Sequence, residues 1–471
     1  MRKCGHYERC GDRVASACSQ RPPHRGRRYK EAIVGIIAEL ASFVTGAQAA
    51  QLPEEERKRQ RLHVLDTAVA TLAGSRIPEG KALCNFADAS TPAERIALLA
   101  AATRLTEIDD IHLSSCITPS AGVVPVALTL AAKLKKFDPV EIASAIWVGA
   151  ELAVRLGVAV DGPRILYRGI WPTYLAAPVA AAATAARLFG LDENRTAHAL
   201  SLAAMLMAGG VGRIHGAPSG RWFVYANAVA GGVGAAEAAR ADFRGDLELF
   251  DKSWLADTHG IALDRARLTD RLGERSVYAE LSLKPFCSAK QAIAAVEAFR
   301  AILERGAAPG AVGKVRVRVP PAYSGMIATP AEPGARISTL VSVAHQIALA
   351  ALMPDGLYDV DRSAPALDPA LAQYAAKVEV IADAFLDSSY PRYWPATVEV
   401  EIEGETVRQH IVEAKGDPER PLDALAVADK GRRVLDPLVG AARAAEWLNI
   451  CGAAFSSEVA CRTFCESFVQ I

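Results

Sequence analysis

Between Arg104 and Ser120 the chain reads RLTEIDDIHLSSCITPS, and Glu107, Asp109, Asp110 and His112 fall within six residues of it. Carboxylates and an imidazole at this spacing can move protons when burial and neighbouring charge pull their pKa values apart. A solvated helix end is the plainer alternative. Against it, an alanine-rich run precedes the segment and AGVVPVALTLAAKL follows it, which places the connection close to a core.

A second candidate is GGVGRIHGAPSG, Gly209–Gly220. It follows a helical pattern rather than a strand, so it does not read as a dinucleotide fingerprint. It reads as a flexible helix–helix connection, yet Arg213, His215 and Arg221 in or beside it are cations suited to a carboxylate ligand. There is no Walker loop and no HExxH. Cys4, Cys10 and Cys18 with His6 and His24 lack a CxxC element and do not make a zinc pattern, so no metal site is expected.

Helices must position these residues. Leu62, Leu65, Val69 and Leu72 recur at helical spacing behind EEERKRQR. TPAE at Thr91 and DPVE at Asp138 each give an N-cap residue, a proline at the first helical position and a glutamate in the first turn. Gly157 and Gly190 are expected to stop helices. The pattern changes near residue 277. KVRVRVP and KVEVIADAFL alternate as strands, ATVEVEIEGETVRQHIVEA reads as a hairpin turning at Glu403–Gly404, and ARISTLVSVAHQIALAALM reads as one helix between them. The expected organisation is a basic tail over 1–29, a helical domain over 30–276, an α+β domain over 277–414, and a segment over 415–471 that returns to helix. The tail carries eight Lys or Arg against two acids and is expected to be disordered.

Composition sets outer bounds. At 471 residues two domains are the prior. With 53 basic and 53 acidic residues there is no electrostatic footprint for nucleic acid. No run reaches the roughly 18 uncharged apolar residues of a membrane span. Nine cysteines, an odd number without a framework, point to a reducing compartment and a cytoplasmic location.

Several stretches, in one order, resemble the MmgE/PrpD family, which includes 2-methylcitrate dehydratase, cis-aconitate decarboxylase and iminodisuccinate epimerase. They are EIDDIHLSSCITPSAGVVPVAL, YRGIWPTYLAAPVAAAATAARLFGLDENRTAHALSLA, LKPFCSAKQAIAAVEA, ARISTLVSVAHQIALAAL and YPRYWPATVEVEI with KGDPERPL. The resemblance implies a mainly α fold: a large helical domain built from both chain ends, with an inserted α+β lid. It also implies a homodimer, a site in the cleft between domains, and neither metal nor organic cofactor. Carried across by position, the family's acidic site residue falls at Glu107 or Asp110, the lysine opening the lid at Lys284 and the site tyrosine at Tyr323. The lysine of the central glycine-rich segment falls on Arg221, and the two catalytic histidines fall on Thr118 and Trp171.

Neither threonine nor tryptophan acts as a general base near neutral pH. The expected chemistry is therefore proton abstraction next to a carboxylate with His112, supported by Asp109 or Asp110, as base. Tyr323 would be acid or hydrogen-bond partner. Arg221 and Lys284 would hold a di- or tricarboxylic acid and stabilise enolate-like charge. Loss of water or carbon dioxide makes this a lyase. An epimerase using the same deprotonation and a binding protein without the base are the alternatives.

Overall fold

The computed structural model describes residues 34–86, 90–207, 220–362 and 368–471. The basic tail with Cys4, Cys10 and Cys18, and the stretch carrying Arg213 and His215, lie outside the described residues. The fold is mainly α with a smaller α+β part, as the sequence leads one to expect.

Six helices frame the first part: α1 (Glu54–Arg76), α2 (Pro92–Leu105), α3 (Ser120–Leu134), α4 (Pro139–Ala159), α5 (Pro172–Phe189) and α6 (Gly220–Arg240). Their starts follow from side-chain chemistry. At α2 the Thr91 hydroxyl accepts the Glu94 N–H while the Glu94 carboxylate accepts the Thr91 N–H, a reciprocal capping box. At α4 the Asp138 carboxylate accepts from the N–H groups of Val140 and Glu141. Alanines bring the helices close. α4 runs along α5, α5 along α6 and α6 along α2, and α5 buries nearly every side chain it has. By length and composition α4 could cross a membrane, but 83% of its most apolar window is buried inside the protein.

Gly190 ends α5 in the left-handed conformation, as expected. Gly157 differs: it lies inside α4, and a Cβ there would come within 2.4 Å of the Ile117 side chain and 2.8 Å of Ser115 Cβ. Its glycine serves close approach rather than termination, and it lets the turn before α3 press against α4.

The second part is joined to the first by a short ladder. β1 (Ile111–His112) pairs antiparallel with β2 (Leu281–Ser282). Beyond it, α7 (Lys290–Leu303) packs on a four-stranded sheet of β3 (Val312–Val319), β4 (Val378–Ala382), β5 (Ala396–Ile402) and β6 (Glu405–Ile411), in the order β4-β3-β5-β6. Glu403 and Gly404 both take positive φ, 51° and 87°, as a tight hairpin turn requires. Val315, Val317, Val319, Val398 and Val400 face inward onto Val296 and Phe299 of α7. That core continues into Ile111, Leu113, Cys116 and Leu166 of the first part. The expected single helix over 335–353 is two: Arg336–Val341 and α8 (Val343–Leu352). Ser342 breaks out of helical geometry between them and accepts the His345 N–H at the start of α8.

Three helices follow the sheet: α9 (Ala424–Val439), α10 (Ala441–Ala453) and α11 (Glu458–Phe468). α9 and α10 lie on α1, and α11 lies on α3. Every cysteine among the described residues is a free thiol.

Candidate active site

The site is made where α2 ends. Glu107 holds φ 55°, a conformation uncommon for a side-chain-bearing residue, and this sharp turn brings the acidic segment back beneath α2. β1 follows at once, and its two residues point to opposite sides as strand geometry dictates. Ile111 lines a cavity between the helical part and the sheet part. His112 lines a different pocket, with Glu151, Arg155 and Glu280.

The first cavity gathers charge at one end. Arg104, Glu107, Arg221 and Thr118 come from the helical part, and Lys284, Lys290 and Gln291 from the segment entering α7. Arg104 reaches both oxygens of Asp109, at 2.5 and 2.6 Å, and Glu107 at 3.1 Å. The Lys284 ammonium donates to the Glu107 carbonyl and carboxylate at 3.2 and 3.3 Å and lies 3.7 Å from Asp109. Lys290 is paired with Asp417. Burial alone would raise the Glu107 carboxyl, but Arg104, Lys284 and Arg221 together hold it down at about 2. Burial pushes Asp109 up instead, and Arg104 and Lys284 offset this only in part.

Arg221 is the exception among these cations. It is 92% buried (8% exposed) at the start of α6, its guanidinium lies 4.9 Å from the Trp171 ring and 4.7 Å from that of Trp222, and its Nε has no hydrogen-bond partner. It makes no ion pair with another described residue, and burial lowers its pKa. The Trp171 indole N–H is likewise buried without a partner. A buried guanidinium stacked on indoles, with no ion pair among the described residues, has the chemistry to take a carboxylate.

The other expected residues divide. Thr118 and Trp171 do line the cavity. The Thr118 N–H is taken by the Thr173 hydroxyl at 3.0 Å. Asp109 stands behind Glu107, engaged by Arg104. Asp110 faces away: it accepts from Ser120 and pairs with His63 Nδ1 at 2.9 Å, in a fully buried set. The pairing of His112 with Asp109 or Asp110 is corrected by the structure, since its ring nitrogens meet Ser115 Oγ at 2.9 Å and Glu280 at 3.3 Å. The reason is strand alternation, which turns His112 away from the side on which Ile111 meets the cavity. Tyr323 is corrected too. Its hydroxyl donates to the Pro395 carbonyl at 3.0 Å and its ring packs on Tyr390 and Trp394 inside the sheet core, outside the cavity lining. His215 lies outside the described residues.

Sequence reasoning missed Arg104, although it stands inside the quoted segment; its i, i+3 and i, i+5 spacing to Glu107 and Asp109 was the available signal. It also missed Lys430 of α9, 2% exposed. The Lys430 ammonium meets Asp66 of α1 at 2.6 Å, the Ile108 carbonyl at 2.9 Å and the Lys284 carbonyl at 2.7 Å. All three of its donors are used, and two of them fix the backbone at Glu107–Asp109 and at Lys284. No local pattern marks a single lysine in a C-terminal helix for this task.

The chain matches family models along most of its length. Residues 38–259 match the MmgE/PrpD N-terminal domain and residues 286–451 the MmgE/PrpD C-terminal domain. The cis-aconitate decarboxylase-like protein oryM of Aspergillus oryzae is 27% identical over 241 residues, which is 46% of this chain and 50% of that protein. The matched stretch thus spans about half the length of that curated relative.

Proposed function

We propose that this chain, which belongs to the MmgE/PrpD family, is a lyase that acts on a small carboxylic acid by moving a proton at the carbon next to a carboxylate. The observation that carries the reading is Arg221: a buried guanidinium with no ion pair among the described residues, in the same cavity as the Glu107–Lys284 pair. A dehydratase or decarboxylase type is in keeping with the family and with the decarboxylase-like name of the distant relative.

In this reading Arg221 binds the substrate carboxylate and Lys284 faces the oxygen on which enolate-like charge develops. Glu107, rather than His112, moves the proton. Its low pKa makes it a weak base in the empty cavity. A bound carboxylate occupies Arg221 and adds a negative charge nearby, and both changes raise the Glu107 pKa. In a dehydration the proton passes from carbon to Glu107, which hands it on to the departing hydroxyl, so that cleavage of the C–O bond releases water and leaves the carboxylate as it began. In a decarboxylation carbon dioxide leaves first and the carbanion takes its proton from the same group. No imidazole lines the cavity among the described residues, which also favours a second reading, a carboxylate-binding protein without turnover. The homodimer implied by the resemblance belongs to the same proposal and is tested by light scattering in solution.

Incubation with 2-methylcitrate, citrate, cis-aconitate, iminosuccinate and 3-hydroxy acids in deuterated water, followed by NMR, separates the readings. An alkene or carbon dioxide supports the lyase, and deuterium exchange alone indicates an epimerase. Binding with neither leaves only the second reading.

A further inference from the structure

The balance of charge in the cavity limits what can enter it. Arg104, Lys284 and Arg221 give three positive charges, and Glu107 and Asp109 give two negative ones, so the cluster carries a net charge of +1 among the described residues. Lys290 cancels against Asp417. One bound carboxylate neutralises the set; a second buried beside it would face Glu107 and Asp109, and the further cations nearby among the described residues, Lys290 and Arg336, already carry Asp417 and Glu79. The remaining wall is largely apolar, with Thr118, Thr173 and Gln291 as its neutral polar groups. Ile111, Leu166, Ile337, Leu340, Val341 and Trp394 line it, from both parts of the molecule. A compact tricarboxylate has no group to set against such a surface, whereas a hydrocarbon chain does.

We infer that the substrate presents one carboxylate to Arg221 and lays an alkyl or alkenyl arm of several carbons along the Leu166–Ile337–Leu340–Trp394 wall. The substrate class is then an alkyl-bearing carboxylic acid rather than a citrate-like tricarboxylate. This deepens the lyase reading and uses the same cavity, but it concerns what binds rather than what reacts.

The test is calorimetric titration of the full chain with crotonate, trans-2-hexenoate, citrate and cis-aconitate, with turnover of 3-hydroxyhexanoate to hexenoate and water followed in parallel. Hexenoate is expected to bind at least tenfold more tightly than citrate, and affinity to rise about fourfold for each methylene between crotonate and hexenoate. Arg221→Gln is expected to weaken both monocarboxylates at least tenfold, with partial rescue in Arg221→Lys. Leu340→Asn is expected to flatten the chain-length series while keeping crotonate affinity. Citrate or cis-aconitate binding more tightly than hexenoate, a flat series in the wild type, or no binding by any monocarboxylate overturns the inference. Hexenoate binding as expected with no acid turned over would count against the lyase reading alone. Turnover of tightly bound citrate would leave the lyase standing and remove the apolar arm.

Discussion

Two sets of ion pairs in this protein use the same residue types for different ends. On the outer face of the sheet, Lys314–Glu379, Arg316–Glu401 and Arg318–Glu399 lie across neighbouring strands at 2.6, 2.8 and 3.1 Å. Their side chains remain partly in water, and each cation has its anion. At the cavity, Arg104, Asp109 and Lys284 are almost wholly buried, the pairs interlock, and the cations outnumber the anions by one. Water screens the first set and makes each pair nearly dispensable. Without water, the second set must be satisfied group by group, and the cation left over among the described residues is the one proposed to bind the substrate carboxylate.

That contrast can be broken most severely at Lys430. Lys430→Ala leaves Asp66 buried without its cation and strips a donor from the Ile108 and Lys284 carbonyls. A loss of about 3–5 kcal/mol is expected, read as a shift of the urea unfolding midpoint. Glu107→Gln should be next. The carboxyl lies below its ordinary 4.5 in the fold, at about 2, so its contribution is complete above 4.5 and is lost as pH falls towards 2. The stability lost at pH 7 should be on the order of 3 kcal/mol, and the acid limb of the wild-type stability curve between those values should flatten. In the lyase reading turnover falls by about 10²–10⁴ as well.

Arg221→Met sharpens the comparison from the other side. Removing a buried, unpaired cation should leave the fold as stable as before or better by about 1 kcal/mol, while carboxylate binding is lost. A marked drop in melting temperature would show instead that the residue is structural. The smallest effect belongs to the sheet. A double-mutant cycle on Arg318→Ala and Glu399→Ala should return a coupling below about 1 kcal/mol with turnover unchanged.

The legible parts of the sequence are those fixed by short-range chemistry. Thr91 and Asp138 announce their helices because capping acts within three residues, and Glu403–Gly404 announces the hairpin because few residues accept positive φ there. Arg221, Lys284, Thr118 and Trp171 were placed by resemblance, and all four line the cavity. His112 and Tyr323 were misjudged for a common reason: their orientation depends on strand pairing and packing that span more than 70 residues, Glu280 for one and Pro395 for the other. Gly157 was misjudged because its reason lies in Ile117, forty residues earlier, and not in its own helix.

The Lys430 tripod also has a consequence for synthesis. Its anchors sit at residues 66, 108 and 284, so the ribosome has delivered the residues that line the cavity before it delivers the ammonium that fastens the backbone at Ile108 and Lys284. Until α9 emerges, the nascent chain carries Asp66 and two carbonyls without their cation. A product of premature termination before residue 430 would hold these lining residues and still lack the ammonium that ties the backbone at Ile108 to that at Lys284, so this end of the cavity is among the last features of the molecule to be fastened.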